Sequence, residues 1–190
     1  AVVSPRDEPV VEPGENPVGG PTNDVPAGPS ERVLANADAA VRAATMFAGL
    51  DVDRAGSGAM GQQACTIMRD LETAIAALPD TDPRKAEYQA KLTEFRASVS
   101  TLLAGWVNDG HEIRAANFLN GMGDSPAAVA NVGRLIRDTV VAVGPGDADT
   151  DDFLRAVNGD KSKLGGLQWW EVLLACLTLG ISLIGASSRR

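Results

Sequence analysis

The sequence predicts an all-α fold: a bundle of four to five helices with an extended proline-rich amino-terminal arm and an apolar carboxyl-terminal helix. Three observations predict it. Seven of the eleven prolines fall within residues 1–30. Beyond residue 30 the apolar residues recur at helical spacing between capping residues, prolines and glycines, and no segment alternates apolar and polar residues long enough for a strand. Residues 169–186 then read WWEVLLACLTLGISLIGA, with Glu171 as the single charge. The chain divides accordingly into an arm (1–30), a helical body (31–160) and an apolar helix with a basic end (167–190).

In the arm, Pro5, Pro9, Pro13, Pro17 and Pro21 recur every four residues, with five acids against one base across residues 1–30. Such a stretch forms no core of its own and is expected to be extended, either solvated or lying along a neighbouring subunit. It lacks the basic and apolar regions of a secretory signal.

The first helix is expected after Ser30, with Val33, Ala37, Val41, Ala44 and Phe47 or Ala48 on one face and its end near Gly49. A second stripe runs Met60, Ala64, Ile67/Met68, Leu71, Ile75 and Leu78 up to Pro79. Asp82-Pro83 supplies an N-cap and a proline at the first helical position. The third helix that follows carries two interleaved seven-residue series, Tyr88, Phe95, Leu102 and Leu92, Val99, Trp106, which form one seam for another helix to cover. A shorter helical stretch is expected over roughly 111–120, with Ile113, Phe118 and Leu119. Ser125-Pro126 opens the next helix, with Val129, Val132, Ile136, Val140 and Val143, and Gly144-Pro145-Gly146 closes it. An acidic turn, Asp147 to Asp152, leads into a short piece around Phe153, Leu154 and Val157 that stops at Gly159.

The carboxyl-terminal run has two readings. Its eighteen residues meet the minimum for a membrane span, with Trp169 and Trp170 at one end and Arg189 and Arg190 at the other as interfacial anchors. It also suits a helix buried between proteins, because an acid in the first turn makes so short a span marginal. Thr178, Ser182 and Ala186 stand four apart with Gly185 beside them, which leaves one side small enough for close helix contact. Trp169, Trp170, Leu173, Leu177, Thr178, Ser182, Gly185 and Ala186 are therefore the candidate contact residues for assembly or membrane.

Composition and motifs narrow the function. A formal net charge of −8, without a local basic patch, removes the general attraction to phosphate backbones, so nucleic acid is not an expected partner. Two cysteines make no disulfide framework and suit a reducing compartment. Gly56, Gly58 and Gly61 fit G-x-G-x-x-G, but a helix precedes them where a dinucleotide site needs a strand, and a flexible interhelical loop is the expectation. Asp51, Asp53 and Gly56 match part of a calcium loop that lacks its acid at the end, and the run Asp147, Asp149, Asp151, Asp152 has no glycine where such a loop turns. His111 beside Glu112 has no nucleophile at catalytic spacing, and Cys65 lies on an amphipathic helix as a small hydrophobe. One histidine and two distant cysteines make no zinc site. No cofactor, metal, small-molecule substrate or enzymatic role is expected.

Asn131-Val132-Gly133-Arg134 resembles the Asn-Trp-Gly-Arg signature of tail-anchored apoptosis regulators. The tryptophan is missing here, and only 34 residues separate Arg134 from Trp169 where that family has several helices. Phe118-Leu119-Asn120-Gly121-Met122 with Pro126-Ala127-Ala128 is similar to a segment of flexuous filamentous plant-virus coat proteins, with a gap one residue too long and no such apolar tail in that family. Neither resemblance is carried further. The expected function is a structural subunit of a large homo-oligomeric assembly, of virion coat or filament type, with copies of itself as partners. The alternative is a membrane protein anchored through 169–186, its helical interaction domain in the cytoplasm.

Overall fold

The computed structural model describes residues 28–159, and every regular element among them is an α-helix. Most of the arm, the helix expected over 167–190 and all eight candidate contact residues lie outside the described residues.

Helix α1 (Glu31–Phe47) starts where the Ser30 hydroxyl accepts the Val33 N–H, with Glu31 in the positively polarised first turn. Ala37, Ala40 and Phe47 are buried, and Val33, Val41 and Ala44 of the predicted stripe pack partly buried beside them. The single-turn helix α2 (Val52–Ala55) has no counterpart in the sequence reading; the Asp51 carboxylate caps it by accepting the Asp53 N–H at 2.9 Å. Helix α3 (Ser57–Ala77) buries Met60, Ala64, Ile67, Met68, Leu71 and Ala74.

The expected glycine loop is mostly helix. Gly56 alone serves as the link, at φ +84°, where a side chain would be strained. Gly58 and Gly61 belong to the first turns of α3, which meet helix α5 (Glu112–Gly121) backbone to backbone. A Cβ on Gly61 would run into the carbonyl oxygen of Phe118 and stand 2.8 Å from its carbon. A Cβ on Gly121 would meet the carbonyl oxygen of Gly58 in the same way, 2.7 Å from its carbon. Steric necessity explains these glycines better than flexibility does.

Helix α4 (Pro83–Asn108) begins as predicted, with Asp82 accepting the Arg84 N–H and Pro83 in the first turn. Tyr88, Leu92, Phe95, Val99 and Trp106 of the seam are buried. Leu102 is only half-buried and Leu103 takes the interior place. A 3.6-residue helix carries each seven-residue series about 20° backward per repeat, which brings Leu102 to the edge of the stripe. Beyond the middle of α4 the covered arc also widens to Ser100, Ala104 and Val107. Helix α4 packs not only on α3 but on α5 and on the two helices that follow.

Of the apolar residues in the short stretch, Ile113 is 64% exposed. Ala115, Phe118, Leu119 and Met122 define the buried arc of α5, and Ile113 falls on the opposite side of the helix at 100° per residue. Helix α6 (Pro126–Val143) is capped by Ser125 and buries Val132, Leu135, Ile136 and Val140, with Val129 and Val143 less covered. The acidic run, expected as a turn or as acids at a helix start, begins helix α7 (Ala148–Gly159). The Asp147 carboxylate accepts the Asp149 N–H at 3.0 Å, and the Thr150 hydroxyl donates to the Gly144 carbonyl at 2.7 Å. The acids of this first turn complement the helix dipole, while Phe153 and Val157 are buried as the helix packs on α5.

Four aromatic rings from three helices meet at the centre. Phe47 of α1 lies edge-on to Phe95 of α4 at 5.3 Å and to Phe118 of α5 at 6.3 Å, and Trp106 of α4 is edge-on to Phe118 at 5.9 Å. The Arg114 guanidinium stands 5.8 Å from the Trp106 ring and pairs with Asp53 at 2.9 Å, which ties α2 to the cluster. On the α1 side the Tyr88 hydroxyl donates to the Asp38 carboxylate at 2.6 Å. Burial first, then that bond and the carboxylate charge, push the phenol up to about 12.

Two outcomes follow from this packing. Gly61→Ala and Gly121→Ala should each lower stability in urea titrations by about 1–3 kcal/mol, the overpacking cost exceeding the gain in helix propensity. Gly58→Ala, whose Cβ would meet only the Asn117 carbonyl oxygen at 3.7 Å, should be neutral or mildly stabilising. Equal effects at the three positions would remove the close crossing. Tyr88 contributes stability that is complete below the phenol's ordinary value of 10 and is lost as pH rises through about 12. The stability difference between wild type and Tyr88→Phe should therefore shrink over pH 10–12, and a difference constant across that window would contradict the buried hydroxyl bond.

Candidate functional site

The last turn of α1 divides its apolar residues between two environments. Phe47 turns inward to the aromatic cluster, and Met46, 100° away on the helix, is 73% exposed. Leu50 in the following turn is exposed as well. Across from them α3 presents Ala59, Gln62, Gln63, Thr66 and Ile67. Between the two helices opens a groove of about 540 Å³ whose lining contains no charged side chain. In a chain with 22% charged residues this is an unusual stretch of surface. The Thr66 hydroxyl donates back to the Gln62 carbonyl at 3.2 Å, which leaves its methyl to the groove and turns its proton into the helix. The groove offers apolar area and amide groups, and nothing acidic, basic or nucleophilic.

The strongest polar arrangement among the described residues joins α3, α4 and α6. Arg96 donates to Glu72 and, through Nε and Nη2, to the Asn131 Oδ1 at 3.0 and 2.9 Å; the Asn131 amide completes the ring by donating to Glu72 Oε1 at 2.9 Å. Asn131 is 2% exposed, so its bonds are made where water cannot replace them. Burial pulls the Arg96 guanidinium below its ordinary value, and the Glu72 carboxylate opposes that shift. A shallow depression of about 600 Å³ beside this ring is lined in part by Lys85, Arg96 and Arg134. Arg96 is held by Glu72 and Asn131, and Lys85 is held by Asp80 at 2.7 Å. The ring thus works as a cross-link between helices.

The other chemistry-bearing residues are dispersed. His111 sits at the N-cap position of α5 with an exposed side chain that caps nothing. Cys65 is half-buried on α3, and burial raises its thiol pKa, which favours the unreactive protonated form. Asp51 and Asp53 are spent on the cap of α2 and on Arg114, and Asp147 on the start of α7. No three His, Cys, Asp or Glu side chains among the described residues are grouped to hold a metal ion. No helix among the described residues is long and apolar enough to cross a membrane.

Comparison with protein-family models, curated proteins and solved structures gives no significant match for this chain. The groove and the polar ring are both absent from the sequence reading. For the groove, the available signal was Met46 and Leu50, two large apolar residues flanking Phe47 outside the helical stripe. For the ring, three polar residues more than twenty positions apart leave no local pattern.

Asn131→Ala should lower stability by about 1.5–3 kcal/mol, because it strips bonds to two charged partners. A loss within roughly 0.5 kcal/mol would show that water replaces the amide without cost.

Proposed function

We propose that this protein is a non-enzymatic structural subunit of a large homo-oligomeric assembly, of virion coat or filament type. The observation that carries this reading is the uncharged groove between α1 and α3. Met46 and Leu50 leave apolar side chains exposed beside this open groove, a surface that contact with a second copy would cover. The described polar residues support the same reading, because the carboxylates and guanidiniums of the ring and of the caps are used in holding the fold. The sequence adds two segments suited to intersubunit contact: the proline-rich arm, which forms no core, and the apolar run 169–186. On this reading the protein resides in a virion or comparable assembly and its partners are copies of itself.

The full chain, purified without detergent, should form large regular particles visible by electron microscopy and by light scattering. Recovery only in detergent as a small oligomer that floats with lipid vesicles would favour the membrane-anchored alternative, and a monomer at high concentration without lipid affinity would overturn both.

A further inference from the structure

We infer that the groove between α1 and α3 is the acceptor for the amino-terminal turns of the apolar segment Trp169–Ala186 of a neighbouring copy, so that each subunit is an acceptor on one side and a donor on another. This rests on the subunit reading above and names the occupant of its groove.

The chemistry of the two surfaces matches. The groove is uncharged and lined by Met46, Phe47 and Ile67 among others, and the segment carries one charge in eighteen residues. All six aromatic side chains of the described residues, Phe47, Tyr88, Phe95, Trp106, Phe118 and Phe153, are buried. The chain's two other aromatics are Trp169 and Trp170. Large rings at the head of an apolar run act as anchors when they find a pocket, and aromatic anchors dominate the energy of protein interfaces.

Size and topology agree with that match. Ala59 to Ile67 of α3 span about 12 Å of helix, a length that matches about seven residues at helical rise, as many as the head of the apolar run from Trp169 to Ala175. The Gln62 and Gln63 amides stand at the groove to meet polar groups of the incoming segment, Glu171 among them. The described chain ends at Gly159 in α7, which packs on α5, α4 and α6, whereas the acceptor lies on α1 and α3. Donor and acceptor are different parts of the chain, so the contact is heterologous and repeats from copy to copy. Heterologous contacts build rings or open filaments instead of closed dimers. The nine residues 160–168 reach at most about 30 Å when extended, enough to cross to an adjoining body of this size.

The test uses the full chain throughout. Met46→Glu places a charge in the groove at a side chain whose exposure spares the fold, with Leu50→Glu as a second groove variant. Leu173→Lys places a charge in the donor turns. By size-exclusion chromatography with light scattering, wild type should assemble, and each variant alone should fall to the mass of one chain with unchanged far-UV circular dichroism. An equimolar mixture of Met46→Glu and Leu173→Lys should then run at the mass of two chains, because one sound groove and one sound donor remain. A mixture that stays at one chain mass overturns the inference, as does assembly of Leu173→Lys or of both groove variants at the wild-type level. Those results leave the subunit reading standing if wild type assembles. A wild type that forms no particles overturns that reading itself.

Discussion

At the crossing of α3 and α5 two helices touch backbone to backbone, and the body is organised around that contact. Helices ordinarily pack with their axes 8–10 Å apart because side chains stand between them. Here Gly61 on one helix and Gly121 on the other leave the carbonyls of Phe118 and Gly58 facing bare Cα positions. The close approach seats Phe118 deep enough for its ring to meet Phe47 from α1 and Trp106 from α4. Thus α5, only ten residues long, packs on α3 and joins α4 and α1 in one aromatic centre. The short α7 then packs over α5 and buries Phe153.

Polar groups confine the helices farther from that centre. The Glu72, Arg96 and Asn131 ring joins α3, α4 and α6, and the Tyr88 hydroxyl bond to Asp38 joins α4 to α1. Because Asn131 is buried, its contribution comes less from attraction than from the cost of leaving any member unpaired. These linkages consume charge inside the body and leave the α1 and α3 groove as the uncharged exception. An aromatic centre that claims Phe47 leaves Met46 and Leu50 without an interior to enter, so the exposed apolar surface is a by-product of the same packing.

Helix positions were legible in the sequence because they depend on local chemistry. Ser30, Asp82-Pro83 and Ser125-Pro126 each cap a helix within one turn, and the apolar stripes of α3, α4 and α6 follow from period alone. What failed depended on partners distant in sequence. The motif Gly56, Gly58, Gly61 reads as flexible until α5 is placed against it, and nothing near residue 61 announces Phe118. Hydrophobicity alone does not tell which way Ile113 faces, because Phe118 and Leu119 fix which side of α5 is buried. The acids of 147–152 suit a solvated turn and the first turn of a helix alike, and Phe153 and Val157 decide between the two by needing burial. The groove was illegible because it is defined by residues left over after the core is filled.

If the α3 and α5 crossing is one shared contact, the two glycines on its opposite sides are energetically coupled. The first added methyl forces the helices apart, and the second then enters space already opened. A double-mutant cycle in urea titrations on Gly61→Ala, Gly121→Ala and the pair measures this most directly. The pair should lose less than the sum of the single losses by at least about 1 kcal/mol, within the range seen for residues that share a backbone shift. Losses that add to within about 0.5 kcal/mol would mean that the two glycines act separately and that no single crossing holds the body together.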